Sequence, residues 1–186
     1  MAFSLKALQE TEKDVEVVWH AYELRPAGSP PISPEYLAKI ENESRPRFNQ
    51  MMLEDHGVVI NSGPFGINSR ITLIADKYAE SQGNFDFHEA ATRAYWVEAK
   101  DISQVSVLRE IAQSVGLDGE AFEKAITEPA SRALYDAEVS RDVRQAREFG
   151  LQGVPALVFN QRYLVPGAVP VETLQQVLKQ VRAEAK

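Results

Sequence analysis

The sequence predicts an α/β fold, in which one α/β domain is interrupted by a helical insertion. Three observations predict it. Near the amino end, Asp14 to Leu24 (DVEVVWHAYEL) is rich in β-branched residues and alternates Val15, Val17 and Trp19 with Glu16, Val18 and His20, the period of a strand. Near the carboxyl end, GVPALVFNQRYLVPG reads as two short strands around a tight turn, with a helix after it. Between these, from Pro34 to about Gly150, apolar residues recur at helical spacing, and only Val58 to Ile60 has some strand character. The expected limits are residues 1–33 and 150–186 for the α/β domain, and 34–149 for the insertion.

Each element has its own signal. Phe3, Leu5 and Leu8 stand at near-helical spacing within Ala2 to Thr11, which reads as the tail of a helix. Pro26, Gly28, Pro30 and Pro31 make a loop after the first strand. Ser33 can cap a helix with Pro34 at its first position. Ile71, Ile74, Ala75 and Tyr78 form a stripe that ends at Gly83, and Phe87, Ala91, Ala94 and Tyr95 form the next. Asp101 or Ser103 starts a helix carrying Val107, Leu108, Ile111 and Val115, which stops at Gly116. Asp118 starts a short helix through Phe122 and Ile126. Pro129 opens a long one through Leu134, Val139, Val143 and Ala146, ending at Gly150. Strands at Ala156 to Phe159 and Tyr163 to Val165 flank a turn at Asn160 and Gln161, where asparagine tolerates positive φ. Pro170 opens the last helix, with Leu174, Val177, Leu178 and Val181 on its apolar face.

Composition narrows the function classes. A chain of 186 residues, 44% hydrophobic and 25% charged, is that of an ordinary soluble globular protein. A net charge of −7 argues against a general nucleic-acid binder, which needs a basic face for phosphate. No apolar run approaches the ~20 residues that span a bilayer, and MAFSLKALQETEKD lacks the layout of a secretory signal, so no membrane association and a cytoplasmic location are expected. There is no cysteine, which excludes a disulfide, a cysteine zinc site and a cysteine nucleophile in these residues. The three histidines, His20, His56 and His88, lack metal-ligand spacing, so neither metal nor other cofactor is expected.

One resemblance is specific. LQGVPALVFNQRYLVPGAVP is similar to the carboxyl half of a thioredoxin fold, and its hairpin with a YxVxGAxP-type turn resembles DsbA-family proteins of the FrnE-like branch, relatives of 2-hydroxychromene-2-carboxylate isomerase and kappa-class glutathione transferase. DVEVVWHAYELRP, NSRITLIADKYAESQG, FHEAATRAYWVEAKDIS, VLREIAQSVGLD and DVRQAREFGLQGVP agree with that family in order, so the likeness runs from about Asp14 to Arg182. It implies a thioredoxin-like fold with an α-helical insertion, a cis-proline at Pro155, and thiol-disulfide oxidoreductase activity. Family members begin with a strand and then a Cys-x-x-Cys at a helix head, where the helix terminus favours the thiolate. Both are missing here, so the first strand of the sheet is absent and redox inactivity is expected. That strand would be central, between the Val15 and Ala156 strands. Three readings are open: a truncated reading of a longer gene, a gap closed by direct Val15–Ala156 pairing or by a second chain in a homodimer, and a degenerate redox-dead relative.

No residue is assigned a catalytic role. The resemblance implies substrate binding at Gly153, Val154 and Pro155, with the Val154 backbone meeting an extended peptide or a thiol such as glutathione. His20 and Asn68 are candidates for the cleft, although a hydrogen-bonded strand histidine and a helix cap explain them as well. His88 reads as a helix-surface residue, and Trp19, Tyr95 and Trp96 as core or interface aromatics. The competing functions are a disulfide oxidoreductase relative, a glutathione-dependent isomerase or transferase relative, and a non-catalytic peptide-binding or partner-binding module.

Overall fold

Helix signals in this chain translate directly into helices, because a helix satisfies its own backbone. The computed structural model describes residues 2–184. Among them the order is α1 (Ala2–Thr11), α2 (Pro34–Lys39), a π-helical turn (Ile40–Ser44), α3 (Arg45–His56), α4 (Arg70–Ser81), α5 (Asp86–Trp96), α6 (Val105–Ser114), α7 (Gly119–Thr127), α8 (Pro129–Glu148), β1 (Ala156–Phe159), β2 (Tyr163–Pro166) and α9 (Val171–Glu184). Two compact units result, one from Met1–Leu24 with Arg141–Lys186 and one from Arg25–Ser140.

The Arg25–Ser140 unit is helical. Ser33 accepts a hydrogen bond from the Tyr36 N–H and Pro34 follows it, so α2 starts where the cap and the proline fix it. The π-helical turn lies just before Pro46, at the start of α3. Proline has no N–H and its ring clashes with the carbonyl four residues back, and the wider turn, with the Arg45 N–H bonded to the Ile40 carbonyl, relieves this. The buried core is carried by Ile74, Ala75, Phe87, Leu108, Phe122 and Ile126 from α4 to α7. Asp118 caps α7 by accepting from the N–H groups of Glu120 and Ala121. Val58 to Ile60 forms no strand. The chain after it is tied to the end of α5 instead, through Asn61 N–H to the Trp96 carbonyl (2.8 Å) and Gly63 N–H to the Tyr95 carbonyl (2.7 Å). Only glycine fits at position 63, since a Cβ there would lie 2.5 Å from the Lys100 carbonyl oxygen.

The other unit carries the hairpin. Leu5 and Leu8 of α1, Val165 of β2, and Leu174 and Leu178 of α9 form its core, with Val15, Val17, Leu157 and Phe159 packed against it. The side chain of Phe3 lies outside the described residues. Glu12 pairs with Arg182 at 2.9 Å. β1 and β2 pair antiparallel in the register Ala156↔Pro166 to Phe159↔Tyr163. Asn160 and Gln161 both take positive φ (48° and 54°), and the Arg162 N–H closes the turn on the Phe159 carbonyl.

The expected strand at Val15 to His20 is not formed. Its residues keep an inside–outside alternation, with Val15 and Val17 toward the core and Val18 exposed, but among the described residues the sheet has two strands, β1 and β2. Direct pairing of the Val15 segment with β1 is therefore absent. A strand needs a neighbour to receive its N–H and C=O groups, and among the described residues no strand pairs with residues 15–20. Two packing expectations also change. Leu134 is 66% exposed, and of the aromatics expected in the core or at an interface Trp19 and Trp96 are 44% and 39% exposed and so not core.

Candidate functional site

The hairpin presents one paired edge and one open edge. The Gly167 N–H donates to the Pro155 carbonyl (2.9 Å), which continues the β1–β2 ladder by one pair. In an antiparallel ladder the hydrogen-bonding residues of a strand alternate, so Leu157 and Phe159 turn their backbone groups toward β2 and Ala156 and Val158 turn theirs away. Among the described residues no strand lies on that far side. Immediately before it, the Val154–Pro155 peptide bond is cis, and Val154 is 52% exposed. The backbone N–H and C=O of Val154 have no partner among the described residues. Gly153, Val154 and Pro155 thus lead into the open edge, continuous with Ala156 and Val158.

His20 lies in the same unit, at the end of the unpaired extended segment. Its Nδ1 is 3.1 Å from Oδ1 of Asp142, and the Ala21 N–H donates to Oδ2 of the same carboxylate at 2.9 Å. Asp142 is only 3% exposed, while the imidazole is half-exposed. The buried carboxylate does two jobs. It receives a backbone donor that would have entered a ladder, and it fixes the ring orientation.

Asn68 belongs to the helical unit. Its Oδ1 accepts the Arg70 N–H (2.9 Å), one residue before Ser69, the cap position of α4. It therefore acts as a helix-entry cap. Arg70 grips Asp136 of α8 through Nε (2.7 Å) and Nη2 (2.9 Å) and also reaches Ser140. This guanidinium holds the Asp136 carboxyl below the usual carboxylate range, against the opposing effect of burial.

The two α8 carboxylates are the residues that sequence reasoning missed. The stripe read there was Leu134, Val139, Val143 and Ala146, whereas Val139 and Asp142 are the buried positions. A signal existed, because Asp136 and Asp142 flank Val139 at three-residue spacing on one face. An acid on an apolar stripe calls for a donor, here Arg70 for one and His20 with Ala21 for the other.

The chemistry open to this site is limited. Thiol-disulfide exchange proceeds through a cysteine thiolate, and these 186 residues contain no cysteine. What remains is a backbone edge that can accept an extended chain. Among the described residues, no helix is long and apolar enough to cross a membrane.

Comparison with known proteins agrees with this architecture. The profile of the DSBA-like thioredoxin domain matches residues 1–179. The uncharacterized protein YwbO of Bacillus subtilis is 27% identical over 173 residues, covering 89% of this chain and 82% of its own. A solved structure described as a probable DsbA oxidoreductase from Streptomyces coelicolor superposes with a TM-score of 0.80 at 24% identity, over 98% of this chain and 83% of that one. A 2-hydroxychromene-2-carboxylate isomerase structure does so with a TM-score of 0.71 at 20% identity, over 97% and 88%. At these identities the two structures speak for the fold.

Proposed function

This chain belongs to the DsbA-like thioredoxin domain family, and we propose that it works there as a redox-inactive module that binds an extended polypeptide strand. The observation that carries the reading is the open side of β1, where Ala156 and Val158 aim their N–H and C=O groups away from β2. An added strand would satisfy those groups, the mode in which a peptide extends an exposed sheet edge. The Val154 backbone, without a partner among the described residues, and its exposed side chain lengthen the docking row. The LQGVPALVFNQRYLVPGAVP segment supports placing the chain on the FrnE-like branch. A second copy of the chain is one source of the incoming strand.

The test separates the two edges of one strand. Val158→Pro removes an N–H that faces outward and leaves the β2 ladder intact, since proline is tolerated on an edge. The probe is a fluorescent peptide of about six residues alternating Val and Thr, an average strand length. Saturable binding to the native chain is expected, weakened by about tenfold or more in Val158→Pro, since each 1.4 kcal/mol lost is a factor of ten. Far-UV circular dichroism should be unchanged. Equal binding by the variant overturns the reading. Sedimentation over a concentration series reports whether a second copy competes for the edge, and glutathione in the same assay is expected not to displace the peptide.

A further inference from the structure

The helical unit carries one long helical run that its own core leaves largely uncovered. α2, the π-helical turn and α3, of 6, 5 and 12 residues, follow one another without a break from Pro34 to His56. At 1.5 Å per residue the run is about 34 Å long. None of its residues is buried. Apolar side chains nevertheless recur along it at every fourth position, Tyr36, Ile40, Phe48 and Met52, with the small Ser44 in the middle. A four-residue spacing drifts around a regular α-helix of 3.6 residues per turn. The wider π-helical turn takes up part of that drift, so the five positions share a face. The unit covers one side of this stripe, where the rings of Phe48 and Trp96 stand 5.7 Å apart and Ile40 and Met52 are half-buried. The other side is open, with Tyr36 53% and Met51 44% exposed.

The charges beside the stripe say what covers that side. Glu43 and Arg47 stand four residues apart, both exposed, and among the described residues neither is in an ion pair. Reversing the run about Ser44 exchanges Tyr36 with Met52, Ile40 with Phe48, and the acids Glu41 and Glu43 with the guanidiniums of Arg45 and Arg47. The helix is therefore complementary to its own reverse, the property that an isologous contact requires. We propose that two copies of this chain pair through residues 34–56, antiparallel across a two-fold axis at Ser44. Tyr36 of each copy lies against Met51 and Met52 of the other, and Glu43 of each faces Arg47 of the other. A parallel pairing would instead set Glu43 on Glu43 and Arg47 on Arg47, which repels. Ser44 suits the axis, since the distance between packed helices is set by the side chains at the contact and a small one lets them close. The contact uses neither β1 nor Val154, so it is separate from the strand binding proposed above.

The experiment is sedimentation velocity of the full chain over a concentration series. A contact of one helix per copy is small, so half-dimerisation is expected at about 10–100 µM. Glu43→Arg and Arg47→Glu should each weaken self-association at least about tenfold by setting like charges together. An equimolar mixture of the two variants should restore it, because each then meets its opposite. The absence of cysteine gives a direct test of the axis. Ser44→Cys is expected to cross-link into a covalent dimer on oxidation in air, whereas Asp55→Cys, near the end of the run, should not. Should a charge variant fold poorly by circular dichroism, this cross-linking pair carries the test. A native chain that stays monomeric throughout, a mixture no more associated than its parts, or cross-linking of Asp55→Cys in place of Ser44→Cys would each overturn the proposal. So would a dimer abolished by Val158→Pro, which would put the contact at the strand edge instead.

Discussion

The two units of this chain meet the same physical demand in opposite ways. In Arg25–Ser140 each helix closes its own backbone hydrogen bonds, and the buried faces of α4 to α7 need only find one another. In the Met1–Leu24 and Arg141–Lys186 unit the backbone must be closed by neighbours. The hairpin closes one side of β1, the extended segment at residues 15–20 closes neither side within the sheet, and Asp142 serves the Ala21 N–H where a ladder does not. The first unit closes its backbone within its own helices, and the second leaves one side of β1 without a paired strand among the described residues. The proposed strand binding uses the unit whose hydrogen bonding is unfinished among the described residues.

The sharpest way to break this contrast is to damage the finished unit. Phe122 is fully buried and meets Phe87 and Tyr78 with ring centroids 5.4 and 5.6 Å apart. Phe122→Ala is expected to destabilise the helical unit by about 3–5 kcal/mol, read from urea unfolding. Val158→Pro, on the open edge, should leave that transition unmoved. Loss of peptide binding in Phe122→Ala at temperatures where the hairpin signal persists would blur the distinction.

A smaller effect is expected at the repair point of the unfinished unit. Asp142→Ala leaves the Ala21 N–H and the His20 ring without their carboxylate, at a cost of about 1–3 kcal/mol for an unsatisfied buried donor. Hydrogen exchange should localise it, with faster exchange at Ala21 and little change in α4 to α7. Uniform acceleration across both units would mean that Asp142 stabilises more than the segment it touches.

The same contrast explains what could be read in the sequence. Caps at Ser33 and Asp118, the glycine stop after α4 and the limits of β1 were all legible, because local signals decide them. The Val15 segment had the composition and alternation of a strand and still failed to become one, since a ladder depends on a partner that no local pattern encodes. The inward acids of α8 were misread for a related reason. Helical periodicity ranks Leu134 above Asp136, but Leu134 is 66% exposed, while Arg70, distant in sequence, gives the half-buried Asp136 its partner. Gly153 to Pro155 was visible through resemblance, while the outward aim of Ala156 and Val158 needed the register.

A stabilising change probes the turn that sets this register. Gln161 holds a φ of 54°, a region that disfavours side chains with a Cβ. Gln161→Gly is expected to stabilise the hairpin unit by up to about 1 kcal/mol, because a glycine after Asn160 completes the pair this turn favours. A thermal melt that follows the hairpin unit reads the shift. A fall in stability would show that the Gln161 side chain contributes more than its backbone costs.

The smallest expected effect lies in the helical unit and depends on pH. The hydrogen bond to Asp76 raises the pKa of His88, aided by the charges of Asp76 and Glu80 and opposed by burial and Lys77. A histidine whose folded pKa is raised adds stability that is fully present below its unfolded value, near 6.5, and is lost as pH climbs through the folded value. The helical unit should therefore lose a little stability between pH 6 and 8, by about 1 kcal/mol or less for a partly exposed pair. The lowered carboxyls of Asp101 and Asp136 act in the opposite sense and in acid, where stability is lost as pH falls through their folded values. The two contributions separate by pH window and by variant, since His88→Gln should flatten the neutral-pH slope and leave the acid limb in place. An unchanged slope in that variant would assign the neutral-pH dependence to another group and leave the Asp76–His88 pair as a hydrogen bond without a proton-linked role.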